Sequence, residues 1–121
     1  MTYKDLAALV ASIAKALGCD YHYYDDGERD VIKTPYLLFD YPDRDDLKAD
    51  NRNYVKIQRF NLEYDSRRKD IEAEQKIEDL LDAADLSYSK EDTRYEGHDA
   101  YGVMYSMEVA INEEKQGHIW P

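Results

Sequence analysis

The sequence predicts an α+β domain in which a mostly antiparallel β-sheet packs against two helices. Two observations support this fold class. Helical spacing of apolar residues occurs in only two segments, and five segments have strand character, giving the order α-β-β-β-α-β-β. The chain also lacks the regular β-α alternation that indicates a parallel sheet. With 121 residues, we expect one domain over residues 1–112 and a polar C-terminal tail over residues 113–121.

The first helix is expected to begin after Thr2 and to end at Gly18. Thr2 is a suitable N-cap, and Asp5 three residues later completes a capping box. Glycine is the preferred residue just after a helix. The buried stripe follows helical spacing and consists of Leu6, Leu9, Val10, Ile13 and Leu17.

Three strands are predicted before the second helix. The first covers residues 19–24 and leads into a turn at residues 25–27; residues 28–34 give no clear pattern. The second covers residues 36–41, directly after Pro35. The third covers residues 54–65.

The third strand changes its apolar phase part-way along. Val55 and Ile57 lie on one parity, whereas Phe60, Leu62 and Tyr64 lie on the other. Because side chains of a strand alternate between faces, this indicates either a bulge near residues 58–59 or a long strand whose halves bury opposite faces.

The second helix is expected to begin after Asp70. Asp70 as N-cap, with Glu72 and Glu74 in the first turn, places negative charge at the positive end of the helix dipole and leaves the basic triplet outside. Its predicted buried stripe is Ala73, Ile77, Leu80, Leu81 and Ala84.

Two final strands should form an antiparallel hairpin. The fourth covers residues 86–95, with Leu86 and Tyr88 on one face, and residues 96–99 form the turn. Residues 101–111 alternate most clearly, so we expect a central strand whose odd-numbered residues face the helices.

Composition restricts the function classes. A net charge of −11 argues against generic nucleic-acid binding and against docking on anionic membranes. Residues 6–17 fit an amphipathic helix better than a signal peptide, and no run is long enough to span a membrane. The single cysteine, Cys19, favours a reducing compartment. Twelve tyrosines favour an extensive contact surface.

Motifs for catalysis or cofactor binding are absent from the sequence. A calcium-binding loop that starts at Asp43 would have Leu47 in place of a ligand and Lys48 in place of the glycine. Loops that start at Asp25 or Asp40 fit the spacing no better. His22, His98 and His118 are scattered without zinc spacing, and no phosphate loop or G-x-S-x-G elbow occurs. We therefore expect no enzyme, cofactor, metal or small-molecule substrate, although a hydrolase with an unrecognised site stays an alternative.

The stretch DYPDRDDLKADNRNY, residues 40–54, is the densest charged segment between strands. It cannot be core, because each buried carboxylate would need a partner. The acids are mixed with Arg and Lys, which disfavours imitation of DNA. We interpret residues 40–53 as an arm that contacts another protein. The alternative for this segment is a solvated loop. For the protein as a whole, the alternative function is an acidic inhibitor or DNA-mimic protein that binds a DNA-processing enzyme.

Residues 34–112 contain a Pro-Tyr strand, an acidic loop ending ADNRNY, the strand VKIQ…LEYD, the turn RRKD before an acidic helix, and a hairpin ending YSMEV. With these features the segment resembles small tail proteins of phages and prophages of Gram-positive bacteria. Together they are similar to tail terminator, or tail completion, proteins of long-tailed phages. Neighbouring head-completion and stopper proteins share parts of this pattern.

Membership would imply a ring, commonly a hexamer, that caps the tail tube and joins the head connector at the virion's head–tail joint after assembly in the host cytoplasm. It would imply no cofactor and no catalytic residues. The interface residues rest on physical argument and not on a family motif: we expect the arm to face a basic turn on a neighbouring subunit. The arm and the residue after it supply Asp43, Asp45, Asp46, Lys48, Asp50, Arg52 and Tyr54, and the turn supplies Arg67, Arg68 and Lys69.

Overall fold

The computed structural model of the chain describes residues 1–23, 34–95 and 100–112. The predictions for residues 24–33, 96–99 and 113–121 lie outside the described residues. The elements in chain order are α1 (Tyr3–Leu17), β1 (Asp20–Tyr23), β2 (Tyr36–Asp40), β3 (Leu47–Ala49), β4 (Arg52–Ser66), α2 (Ile71–Ala83), β5 (Ser89–Tyr95) and β6 (Ala100–Ile111).

The strands form one sheet in the order β1-β2-β4-β6-β5, and β3 pairs with β4 outside this path. Every pair is antiparallel except β1–β2, which is parallel. The α+β prediction is therefore confirmed. The predicted element order was short by one strand, because β3 lies within the charged segment that the sequence had indicated as a loop.

Both helices contribute to a single apolar core on one face of the sheet, which we call the covered face. Leu6, Val10 and Ile13 of α1 and Ile77 and Leu81 of α2 are completely buried there. The sheet contributes alternate residues of β2, β4 and β6, with Leu37, Phe60, Leu62, Tyr64, Val103, Tyr105, Met107 and Val109 among them. Burial of this apolar surface is the main stabilising contribution to the fold. Neither helix in the described part of the chain has the length and apolar run that crossing a membrane requires.

The predicted caps of α1 and the start of α2 are confirmed. Thr2 and Asp5 form a reciprocal capping box, with N–O distances of 2.9 and 3.1 Å. Gly18 adopts φ 67°, a left-handed conformation that glycine tolerates without strain. The Asp70 side chain accepts a hydrogen bond from the Ala73 backbone N–H at 3.1 Å, so the basic triplet precedes the helix.

The fourth predicted strand begins three residues later than expected. Residues 84–86 end α2 in a Schellman arrangement: Leu86 N–H donates to the Leu81 carbonyl at 3.0 Å, and Asp85 N–H donates to the Asp82 carbonyl at 3.0 Å. Asp85 takes the left-handed position with φ 58°. Because this position usually holds glycine, the residue pattern did not indicate that Leu86 belongs to the helix end.

The final hairpin is confirmed, and β6 is an interior strand between β4 and β5. Its odd-numbered residues Val103, Tyr105, Met107, Val109 and Ile111 are buried toward the helices, as predicted.

The phase change in β4 does not arise from a bulge at residues 58–59. β4 and β6 pair in unbroken register from Lys56–Ile111 to Ser66–Tyr101. The irregularity lies earlier, where Leu47 pairs with Val55 but Lys48 pairs with Asn53, so that Tyr54 is the extra residue. Val55 and Ile57 are half-buried on the face opposite the helices, as the second alternative expected.

Candidate interaction surface

Residues 36–66 form one long antiparallel hairpin. β2 pairs with residues 61–65 of β4, and the same edge of β4 then continues through Asp43, Arg44 and Asp45 to β3. Pairing between β4 and β6 ends at Lys56–Ile111. The tip of the hairpin therefore extends past the last β6 pair. The structure therefore shifts the predicted arm from residues 40–53 to residues 43–55, and we use the name arm for this range from here on.

The arm closes in a two-residue turn. Asp50 and Asn51 both have positive φ, 51° and 61°, as the central residues of a type I′ turn require. Asn and Asp accept this left-handed conformation more readily than other residues with side chains. The backbone twist of such a turn matches the twist of the two strands, so the turn fixes their register.

Asp46 holds the arm together from inside. Its carboxylate accepts hydrogen bonds from the Arg44 guanidinium, from Asn53 Nδ2 at 2.8 Å and from the Ile57 backbone N–H at 3.1 Å. The Asp46 side chain is only 5% exposed. The hydrogen bond from Arg44, supported by those from the Ile57 N–H and Asn53, lowers the pKa of Asp46 below its ordinary value. Asp46 is thus a structural residue of the arm.

Asp43 is also engaged within its own chain. Its carboxylate lies 3.2 Å from Arg59 Nε, and Arg59 in turn approaches Glu108 at 4.0 Å. These three side chains form a charged row across β4 and β6 on the face opposite the helices. Both members of the Asp43–Arg59 pair are about half exposed, so its contribution to stability is small.

The side chains available to a partner lie along the rest of the arm. Asp45, Lys48, Asp50 and Arg52 are exposed, and among the described residues no hydrogen bond or ion pair engages the Asp45 carboxylate. Two large apolar side chains accompany them: Leu47 is 59% exposed and Tyr54 is 73% exposed. A projecting ribbon that presents charge around an exposed aromatic ring is typical of an interface.

The predicted basic turn lies at the opposite end of β4. Lys69 faces inward: its Nζ is 2.9 Å from Glu74 Oε1 and 2.8 Å from Asp92 Oδ2. Hydrogen bonds to Asp92 and Glu74 raise the pKa of Lys69, and the ammonium group anchors α2 to β5. Arg67 and Arg68 are exposed. The structure therefore does not bring the arm and the basic turn of one chain together.

Buried Glu74 is the centre of a polar network that the sequence did not predict. Glu74 is 3% exposed, and its Oε1 also lies 2.7 Å from Lys90 Nζ. Lys90 pairs further with Glu78 at 2.9 Å, and the Tyr105 hydroxyl donates to Glu78 at 2.9 Å. The sequence signal that could have indicated the burial of Glu74 is its position directly after Ala73, at the edge of the predicted apolar stripe.

Asp65 is a second buried acid that sequence reasoning missed. It is 4% exposed on the face opposite the helices, and one of its carboxyl oxygens, Oδ1, has no hydrogen-bond partner. Burial, together with the hydrogen bond and the charge of Glu63, raises the pKa of Asp65 to about 8, while a hydrogen bond with Tyr36 opposes this shift. The carboxyl group therefore stays protonated at neutral pH.

The concave surfaces formed by described residues include one beside the arm and one beside the basic turn. The first, of about 630 Å³, lies at the root of the arm between Asp43, Arg59, Tyr88 and Glu108. The second, of about 340 Å³, lies beside the basic turn and is lined by Thr34, Pro35, Tyr64, Ser66, Arg67, Arg68, Lys69 and Asp70. The described lining of neither hollow includes a histidine or cysteine beside a nucleophile.

The remaining candidate residues, the possible metal ligands and Cys19, form no metal site or reactive thiol among the described residues. Within the described residues, no three His, Cys, Asp or Glu side chains are placed to share a metal ion. Burial, with the charge of Asp20, raises the pKa of Cys19, which disfavours the reactive thiolate. The expected absence of an enzyme activity and of a cofactor stays a prediction.

No family model matches the sequence, and no curated protein is significantly similar to it. Among solved structures, the chain is similar to a chain of the virion of a native gene transfer agent particle. The two share a TM-score of 0.59 and 15% identity, over 84% of each chain. At this identity the likeness shows a common fold.

Proposed function

We propose that this protein is a structural component of a phage-like virion and that it acts as a tail terminator at the head–tail joint. Two observations of different kinds support this. The fold is shared with a chain of a gene transfer agent virion over 84% of both chains. The sequence of residues 34–112 resembles tail terminator proteins.

The ordered arm is the structural observation that carries the proposal. An isolated two-stranded hairpin is marginally stable in water, yet this one is held by a type I′ turn and by the three donors to Asp46. Rigidity before binding lowers the entropy cost of association. An arm built in this way is suited to a fixed contact in an assembly.

In this proposal the subunits form a ring, with six copies as the expected number, that caps the tail tube and then binds the head connector. The ring assembles in the host cytoplasm and remains in the virion. The protein has no substrate, cofactor or turnover. Its surface charge sets the register and excludes wrong partners, because rim charges affect specificity and association rate more than affinity.

The predicted interface is narrower than the sequence alone indicated. Asp46 and Lys69 are occupied inside their own chain, and Asp43 is paired with Arg59. The exposed side chains proposed to face a neighbouring subunit are Asp45, Lys48, Asp50, Arg52 and Tyr54 on the arm and Arg67 and Arg68 on the turn.

Deletion of the gene from a strain that produces the particle tests this function. We expect electron microscopy to show heads without attached tails and tails of irregular length, and we expect the wild-type gene to restore complete particles. The variant Lys76→Ala, on an exposed position of α2, is a matched control that should also restore them. Complete infectious particles in the deletion strain would exclude the proposal.

A further inference from the structure

The described surface carries large exposed apolar side chains at both ends of β4. Leu47 and Tyr54 lie on the arm at one end. Ile71, which is 68% exposed, follows the basic turn at the other end. Contiguous exposed apolar surface marks contact sites, and Leu47 and Tyr54 lie in the same two-stranded ribbon.

The groove beside the basic turn has the shape and rigidity of a receptor. Its volume of about 340 Å³ accommodates an aromatic side chain, with Pro35 and Tyr64 in the wall. The turn is fixed, because the Ser66 hydroxyl donates to the Arg68 carbonyl at 2.6 Å and Lys69 is anchored to Glu74 and Asp92. The groove therefore exists before any partner binds.

The two surfaces carry charged groups that can pair. Arg67 and Arg68 line the groove. On the arm, the exposed carboxylates of Asp45 and Asp50 alternate with exposed Lys48 and Arg52, so these two carboxylates, and not a net charge of the arm, are the groups that can pair with the guanidinium groups. A guanidinium group beside an aromatic ring also gains a favourable cation–π interaction. A ribbon that presents two carboxylates and an aromatic ring thus fits a groove lined by two guanidinium groups.

The arm cannot reach the groove of its own chain. The two lie at opposite ends of the 15-residue strand β4. Such a strand holds its ends roughly 45 Å apart, at about 3.3 Å per residue. Any contact between them joins two copies of the chain, with a different surface used on each. Contacts of this head-to-tail kind generate rings when the rotation closes.

We propose that the arm of one copy docks in the basic groove of the next copy, with the Tyr54 ring seated between Pro35 and Arg68. This contact supplies the subunit interface of the ring and rests on the function proposed above. Tyr54 is the expected anchor, because buried tyrosines dominate interface energies, and Tyr54→Ala should weaken association about 30-fold.

Disulfide trapping between two variants tests the docking directly. In full-length protein carrying Cys19→Ser, one preparation has Arg52→Cys, at an exposed position close to the Tyr54 anchor, and the other has Arg68→Cys. We expect the oxidised mixture to form a 52–68 disulfide between the two variants, identified by peptide mass spectrometry. A third preparation with Lys76→Cys, on an exposed part of α2, is the matched control for random collisions.

Each result decides the proposal. A 52–68 yield well above the 52–76 yield, with the 52–68 yield falling in high salt, supports docking in the groove. Equal yields at the two positions overturn it. A preferred 52–52 product also overturns it, since that pairing requires a symmetric contact.

The docking and the function fail in distinguishable ways. If the docking is wrong but the function is right, Arg68→Glu will still restore particles in the deletion strain. If the function is wrong, the deletion strain will make complete particles whatever the cross-linking shows.

Discussion

The two ends of strand β4 are stabilised by different interactions. At the C-terminal end, Phe60 and Leu62 are completely buried and Tyr64 is 4% exposed under the helices. At the N-terminal end, residues 52–54 are exposed and the arm depends on the hydrogen bonds of Asp46. One continuous strand thus leads from an apolar core into a polar ribbon.

This difference separates folding from recognition. Apolar burial scales with the area removed from water and provides most of the stability at the core end. Exposed charges contribute little to stability, so the arm can change its outer side chains without unfolding the domain. The following predictions test whether the two ends respond independently.

The largest effect is expected from truncation in the core half. Phe60→Ala removes a completely buried ring and leaves a cavity, so it should lower the free energy of unfolding by about 3–5 kcal/mol. The matched change Val55→Ala, on the same strand but half-buried in the arm, should cost about 1 kcal/mol or less. Urea unfolding followed by circular dichroism measures both. Equal losses for the two variants would show that the arm is part of the core.

The second largest effect on stability is expected at Asp65, a buried polar residue in the core half of β4. The pKa of Asp65 is about 8 in the fold, against 3.8 for an unperturbed aspartate in the unfolded chain, so the folded state binds the proton more tightly. The stability contribution of this group is therefore complete below about pH 4 and is lost as the pH rises through about 8. Asp65→Asn cannot ionise, so its stability should exceed that of the wild type increasingly between pH 5 and about 8.5.

Unfolding midpoints of the wild type and of Asp65→Asn, measured across this pH range, check the sign of the pH dependence. Glu63→Gln is the control, because it removes the neighbouring charge and should bring the pKa of Asp65 down. A constant difference between Asp65→Asn and the wild type would show that Asp65 is ionised throughout.

The core half was largely predictable from the sequence, because burial leaves a pattern. Alternation at Phe60, Leu62 and Tyr64 placed β4, and the same period along residues 101–111 placed β6. The parallel pairing of β1 with β2 was not predicted. It depends on the course of the connection between the strands, for which local side-chain pattern carries no signal.

The arm was only partly predictable. The charge density located it, but its strand β3 has a single apolar residue, Leu47, and no alternation. The strand exists because Asp50 and Asn51 accept positive φ and Asp46 binds three donors. Which acid points inward is a matter of geometry: Asp45 and Asp46 are neighbours of identical chemistry, yet one is exposed and the other is buried against Arg44.

A smaller and local effect is expected at Asp46. Asp46→Ala removes the acceptor shared by Arg44, Asn53 and the Ile57 N–H, so the arm should open while the core persists. Amide hydrogen exchange should become about tenfold or more faster in residues 47–57 and stay unchanged in α1 and β6. Asp45→Ala is the control, since its carboxylate has no partner among the described residues. Equal exchange in the two variants would assign the order of the arm to its turn alone.

The smallest effect on stability, and the largest on assembly, is expected from charge reversal on the arm. Asp45→Lys with Asp50→Asn should change the free energy of unfolding by no more than about 0.5 kcal/mol, because both sites are exposed and asparagine accepts the positive φ of position 50. The same protein should fail to complete particles, since its arm has lost both exposed carboxylates and now repels Arg67 and Arg68 of the next copy. Adding Arg67→Glu and Arg68→Glu should partly restore assembly, with each exposed pair worth no more than ~1 kcal/mol.

Electron microscopy of particles from the deletion strain is the readout for this charge change, with circular dichroism as the folding control. Normal assembly of the Asp45→Lys, Asp50→Asn protein at low and high salt would leave the arm without a role in recognition.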